Sequence, residues 1–72
     1  MSLVYGIHAV EEALQAESGR IEKICLERGR KNPRLQLILS LAREKHVPFA
    51  FEDRKWLDRK AEGNRHQGVL CY

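Results

Sequence analysis

Apolar and polar positions along this chain alternate between strand-like runs and helical steps. Leu3-Val4-Tyr5 is a short apolar run that ends at Gly6. From Ile7 the period changes. Ile7, Val10 and Leu14 recur at helical spacing and mark one buried stripe. Glu11 and Glu12 fall early in that helix, toward its positive dipole end, and Ser18-Gly19 closes it. Ile21 to Leu26 reads as a second strand. Its Ile24-Cys25-Leu26 core is apolar on both pleat faces, as in a central strand covered on both sides. Asn32-Pro33 then opens the longest helix, with Asn as N-cap and Pro at the first helical position. Leu35, Ile38, Leu39 and Ala42 form its buried face, Leu41 widens it, Lys45-His46 suits its negative end and Pro48 stops it.

Val47 to Phe51 predicts a third strand with Val47, Phe49 and Phe51 on one face. Pro48 assigns it to an edge, because proline cannot donate to a ladder. Asp53 is placed to cap a short helix from about Arg54 to Ala61, with Trp56 and Leu57 turned inward and Gly63 as its C-terminal cap. Asn64-Arg65-His66 leads into a last strand, Gln67 to Tyr72. The order β-α-β-α-β-α-β predicts an α/β fold with one sheet between helices. The chain stops inside an apolar strand, which reads as a domain cut from something longer.

Composition narrows the function classes more than it selects one. Seventy-two residues make one domain with a marginal core. The longest apolar run falls far short of the ~20 residues that span a bilayer, so no membrane partner is expected. Met1-Ser2-Leu3-Val4-Tyr5-Gly6 lacks the basic and apolar regions of a secretory leader, which leaves the cytoplasm as the expected location. Cys25 and Cys71 each sit in an apolar segment and read as reduced core residues. No cysteine or histidine spacing matches a metal site. The five glycines are scattered and build no phosphate loop, and no triad or acid/base pair is visible, so no catalytic residue is assigned.

Thirteen Lys and Arg against ten Asp and Glu give a net charge of +3, and the grouping matters more than the total. Arg28-Gly29-Arg30-Lys31-Asn32-Pro33-Arg34 holds four basic residues and no acid, and runs into a helix N-terminus. Free backbone N–H groups and the helix dipole favour an anion there, with phosphate the natural ligand for Arg28, Arg30, Lys31, Asn32 and Arg34. The plain alternative is a solvated turn. Near the other end, Asn64-Arg65-His66-Gln67-Gly68 offers one cation, one imidazole and two amides that suit phosphate, ribose hydroxyls or base edges. The plain alternative here is that Asn64 makes the turn while His66 and Gln67 satisfy backbone groups at the end of the sheet. Trp56 reads as core, although a half-exposed tryptophan also stacks bases.

Two of these segments carry a resemblance when taken together. Val4-Tyr5-Gly6-Ile7-His8-Ala9-Val10-Glu11-Glu12-Ala13-Leu14 and Asn64-Arg65-His66-Gln67-Gly68-Val69 resemble the opening and closing signatures of the N-terminal substrate-binding domain of SpoU (TrmH-like) RNA ribose 2′-O-methyltransferases. The likeness is closest to the RlmB-type branch, which methylates a guanosine of large-subunit rRNA. The resemblance implies a three-layer α/β/α fold like that of ribosomal and kink-turn-binding proteins. Its mixed four-stranded sheet would have the order 1-4-2-3, bringing Tyr5-Gly6 close to His66-Gln67-Gly68. It implies a domain, residues 1–72, that binds rRNA and delivers it to a separate C-terminal catalytic domain. In the family that second domain is knotted, binds S-adenosylmethionine and makes the homodimer. No catalytic, metal or cofactor residue is carried over to this chain. Two other roles stay open: a stand-alone ribosomal or kink-turn-type RNA binder, and a docking module whose Asn64–Gly68 loop meets the catalytic domain.

Overall fold

In the computed structural model, residues 3–72 are described; Met1 and Ser2, which open the segment read above as lacking a leader, lie outside the described residues. Strand β1 (Val4–Tyr5) turns at Gly6 directly into helix α1 (Ile7–Glu17). A short 3₁₀ turn at Ser18–Arg20 leads to β2 (Ile24–Glu27), followed by α2 (Pro33–Glu44), β3 (Phe49–Glu52), α3 (Arg54–Lys60) and β4 (Val69–Cys71). The four strands form one sheet in the order β1-β4-β2-β3. Strand β4 runs antiparallel to both β1 and β2, while β2 and β3 are parallel. The order and mixed directions are those the resemblance implied, and β3 lies at an edge, as expected, although Pro48 itself precedes the strand.

Pleat alternation divides the core. Ile24, Leu26, Val69 and Cys71 point to one face, under the apolar stripes Ile7/Val10/Leu14 of α1 and Leu35/Ile38/Leu39/Ala42 of α2. Cys25 and Leu70 point to the other face, under Leu57 and Ala61 of the α3 region. The result is three layers, with β2 and β4 buried from both sides. Cys25 and Cys71 are buried, unpaired and on opposite faces, which rules out a bond between them. Burial pushes the Cys71 thiol up to about 11, helped by its neighbour Cys25. Burial also raises Cys25, against the attraction of Lys23 and Lys60.

Several boundaries differ from the sequence expectation, each for a local reason. Strand β3 begins at Phe49 and not Val47, because Val47 completes the end of α2. His46 sits at φ 58, its N–H reaches Arg43 O, and the Val47 N–H reaches Ala42 O at 2.9 Å, a Schellman closure. Helix α3 ends the same way. Its left-handed residues are Glu62 (φ 52) and the expected Gly63 (φ 81), with Gly63 N–H bonded to Asp58 O. Asp53 occupies the N-cap position of α3 without capping it, since its carboxylate is taken by Arg28 at 2.6 Å. The first turn of α1 carries no acid; Glu11 and Glu12 come a turn later. Strand β4 begins at Val69, because Gln67 and Gly68 (φ 55 and 84) form a tight turn closed by Val69 N–H to His66 O. Strand β2 begins at Ile24, but the chain before it still pairs with the last residue through Tyr72 N–H to Lys23 O.

This topology has a consequence for function. β1, β2 and β3 run the same way and each passes almost directly into a helix, so the β1–α1, β2–α2 and β3–α3 junctions share one end of the sheet. β4 enters from that same end. The two polar segments picked out in the sequence are therefore neighbours.

Candidate functional site

The Asn64–Gly68 turn is built from its own side chains. His66 is only 6 % exposed. Its Nδ1 accepts the Gly68 N–H at 2.9 Å, so the ring proton is on Nε2, which donates to Asp58 Oδ1 at 2.6 Å. The imidazole thus imitates a backbone turn and fixes the two left-handed residues behind it. Gln67 reaches across the sheet, and its Oε1 accepts the Ile7 N–H at 3.0 Å, one of the donors left open at the start of α1. Gly6 N–H bonds Val69 O at 3.1 Å beside it. A Cβ on Gly6, at φ 100, would meet that Gln67 oxygen at 3.3 Å, so glycine is required there by both conformation and space. Asn64 Nδ2 donates to Ala61 O at 2.8 Å and closes the end of α3.

The Arg28–Arg34 loop is more neutralised than its sequence suggests. Arg28 pairs with Asp53 at 2.6 Å and also donates to Phe51 O on edge strand β3. Arg30 pairs with Glu27 at 3.2 Å, and Arg34 approaches Glu11 at 3.9 Å. Asn32 performs the expected N-cap, its Oδ1 accepting from Arg34 N–H at 2.9 Å. Lys31 is exposed and has no ion pair among the described residues.

The two segments meet through Arg30 and Gly68. The Arg30 stem lies across Gly68 so closely that a Cβ there would stand 2.8 Å from Arg30 Cδ. Gly68 O accepts the Glu27 N–H at 2.8 Å. Beside this contact opens a polar cleft of about 440 Å³, lined by Arg30, Asn32, Arg54, Asn64, Arg65 and Gln67, among others. Arg65 is exposed and has no ion pair among the described residues.

The structure thus brings Arg30, Asn32, Asn64, Arg65 and Gln67 together, with the buried His66 in the wall. Arg28, Lys31 and Arg34 do not line the cleft. Sequence reasoning missed two residues. Arg54 lines the cleft because β3 delivers it to the same end, which no linear spacing reveals. Asp58 anchors His66 from one helix turn later on α3; a carboxylate in a short basic helix was the available hint.

The arrangement suits binding rather than bond-making. The Asp58–His66 pair resembles part of an acid/base relay, but both ring nitrogens are engaged and the ring is covered. No buried side-chain polar atom among the described residues lacks a partner, and no three His, Cys, Asp or Glu side chains there group as metal ligands. No helix among those residues is long and apolar enough to cross a membrane.

The chain is 43 % identical over 68 residues to the 23S rRNA (guanosine-2′-O-)-methyltransferase RlmB of Pseudomonas putida, covering 94 % of this chain and 27 % of that protein. The enzyme of the same description from Escherichia coli K12 is 31 % identical over 69 residues, covering 96 % of this chain and 28 % of that one. The chain thus spans little more than a quarter of the length of these curated relatives. Among solved structures, that of a protein with unknown function from Bacillus halodurans C matches with a TM-score of 0.73 at 21 % identity. The match covers 96 % of this chain and 68 % of that one, and it shows the fold alone. The family described as RNA 2′-O ribose methyltransferase substrate binding matches residues 3–72, and the chain belongs to that family.

Proposed function

We propose that this chain recognises RNA, 23S rRNA in particular, as the substrate-binding domain of a cytoplasmic guanosine 2′-O-ribose methyltransferase. The observation that carries the reading is the cleft at the shared end of the sheet. It combines three guanidinium groups (Arg30, Arg54, Arg65) with the amides of Asn32, Asn64 and Gln67. Guanidinium forks suit phosphate, and amides suit ribose hydroxyls and base edges. The charge of the cleft, three guanidinium groups against the single carboxylate of Asp58, disfavours the cationic sulfonium of S-adenosylmethionine. That cofactor, and the methyl transfer it supplies, are assigned to a C-terminal catalytic domain, as is a homodimer contact. Of the residues picked out in the sequence, Arg30, Lys31 and Arg65 are the proposed phosphate contacts. Asn32, Asn64 and Gln67 keep one amide group each for RNA. His66 is the wall that holds them, and Arg28 and Arg34 are secondary because they are ion-paired and lie outside the cleft, whereas Arg30, though paired with Glu27, lines it.

The test is a fluorescence-anisotropy titration of a 23S rRNA fragment with the chain and with its Lys31→Ala/Arg65→Ala variant. Each lost phosphate contact lowers the slope of log affinity against log salt by about 0.7–0.9. The double variant is expected to bind at least several-fold more weakly with a slope reduced by about 1.5. Equal affinity and slope for both proteins would overturn the assignment.

A further inference from the structure

Helix α3 carries charge of a different kind from the Arg28–Arg34 loop. In that loop Arg28, Arg30 and Arg34 all have a carboxylate partner. In α3, Arg54, Lys55, Arg59 and Lys60 have none among the described residues. Four cations without an ion pair on two turns repel one another, and the domain offsets this only in part, through the last-turn position of Arg59 and Lys60 and the aromatic rings beside Lys60.

Helical spacing sorts these residues into four stripes. Leu57 and Ala61 face the sheet. Arg54 and Asp58 border the cleft. Lys55 and Arg59 are exposed on the outer surface. Trp56 and Lys60 form the far flank, where Lys60 Nζ lies 6.0 Å from the Trp56 ring and 5.2 Å from the Tyr72 ring. Trp56 is only half-buried: it packs against the Cys25, Leu57, Ala61 and Leu70 cluster and keeps the rest of its side chain at the surface. A cation at 6.0 Å is at the outer limit of contact and leaves the ring open to a larger flat partner.

We infer that α3 is a second RNA contact, in which an unpaired base stacks on Trp56 while Lys55 and Arg59 hold the flanking phosphates. This rests on the cleft reading above and extends it: Arg54 belongs to both surfaces, so a strand leaving the cleft runs onto α3. The ligand is single-stranded, because paired bases present their edges and phosphates but not their ring faces. Stacking is tolerant of sequence, so this surface adds affinity for an unpaired flank and leaves sequence choice to the cleft.

Trp56 is the only tryptophan of the chain, so its fluorescence reports on this contact alone. The experiment titrates the full chain with an oligoadenylate of about ten nucleotides and with a blunt RNA duplex, following tryptophan fluorescence and anisotropy together. The oligoadenylate is expected to quench Trp56 and the duplex to leave it unchanged. Trp56→Ala weakens oligoadenylate binding by roughly 5- to 100-fold. Lys55→Ala/Arg59→Ala, which alters only exposed positions, lowers the salt slope by about 1.4. The inference is overturned if the RNAs bind, and binding falls in Lys31→Ala/Arg65→Ala, while Trp56 is not quenched and the Lys55/Arg59 variant binds as the parent does. Absence of binding by either RNA overturns the cleft reading and this inference together. Equal, unquenched binding of both RNAs and of heparin shows a general polyanion surface and also overturns it.

Discussion

His66 was a candidate RNA ligand by sequence and is a structural residue by geometry, and His66→Ala distinguishes the two roles. The substitution removes the acceptor of the buried Gly68 N–H, and an unsatisfied buried donor costs about 1–3 kcal/mol. It also removes the bond to Asp58, whose carboxylate is half-exposed, which adds about 0.2–1 kcal/mol. The expected loss is therefore about 1–4 kcal/mol, before any collapse around the missing ring. A domain of this length has a total stability of roughly 4–11 kcal/mol, so His66→Ala removes a sizeable fraction of it. Urea unfolding should show a lower midpoint with an unchanged m-value, and the melting temperature should fall by about 5 °C or more. Asp58→Asn is the internal control. An asparagine oxygen still accepts from Nε2–H, so this change costs less than about 1 kcal/mol. At a temperature where His66→Ala remains folded, its RNA affinity should fall less than that of Arg65→Ala, the proposed direct contact beside it. If His66→Ala unfolds within 0.5 kcal/mol of the parent, the hydrogen-bond account of the turn is wrong; the ~0.5 threshold is the usual scatter for surface changes.

Other expectations follow from single features. Gly68→Ala places a Cβ 2.8 Å from Arg30 Cδ at φ 84, so it should destabilise by about 1–3 kcal/mol and displace Arg30 from the cleft, weakening RNA binding as well. Glu62→Gly relieves the left-handed strain at the end of α3 and should raise stability by up to about 1 kcal/mol in urea melts; a loss would refute the Schellman reading. The buried thiols give a pH dependence. The Cys71 thiol ionises at about 11 in the fold, whereas an unfolded thiol ionises near 8.5, so the unfolded state binds fewer protons in between. Stability is complete below the unfolded value and falls as pH rises through the window up to about 11, by roughly 1.4 kcal/mol per unit. Cys71→Ala should flatten that alkaline slope, and a slope unchanged from the parent would contradict it.

How much of this was legible in the sequence depends on the range of the interactions involved. Period and punctuation placed all seven elements in order, because Ile7/Val10/Leu14 and Asn32-Pro33 are local signals. The boundaries at Val47, Glu62 and Gln67 were misplaced because each depends on a left-handed non-glycine residue, which composition disguises. Gly63 is left-handed as expected, but the non-glycine Glu62 before it shares the cap. The strand order was legible only through the resemblance, since nothing local says that β4 inserts between β1 and β2. In the site, the plain alternative for His66 and Gln67 is what the hydrogen bonds show, although Gln67 also lines the cleft. The charge of the Arg28–Arg34 loop was overrated, because Glu27, Asp53 and Glu11 approach it from other elements. The cations of α3 form two separate pairs, Arg54-Lys55 and Arg59-Lys60, around Trp56-Leu57-Asp58, so no charge run marked them in the sequence.

The central claim is that RNA meets this domain at the shared end of the sheet. Photocrosslinking the chain to 23S rRNA fragments, with mass-spectrometric mapping of the modified peptides, tests it most directly. The account predicts crosslinks on the peptides carrying Arg30-Lys31, Arg54 and Asn64-Arg65. Crosslinks confined to the opposite end of the sheet, around Val4, Ile21 and Tyr72, would contradict it.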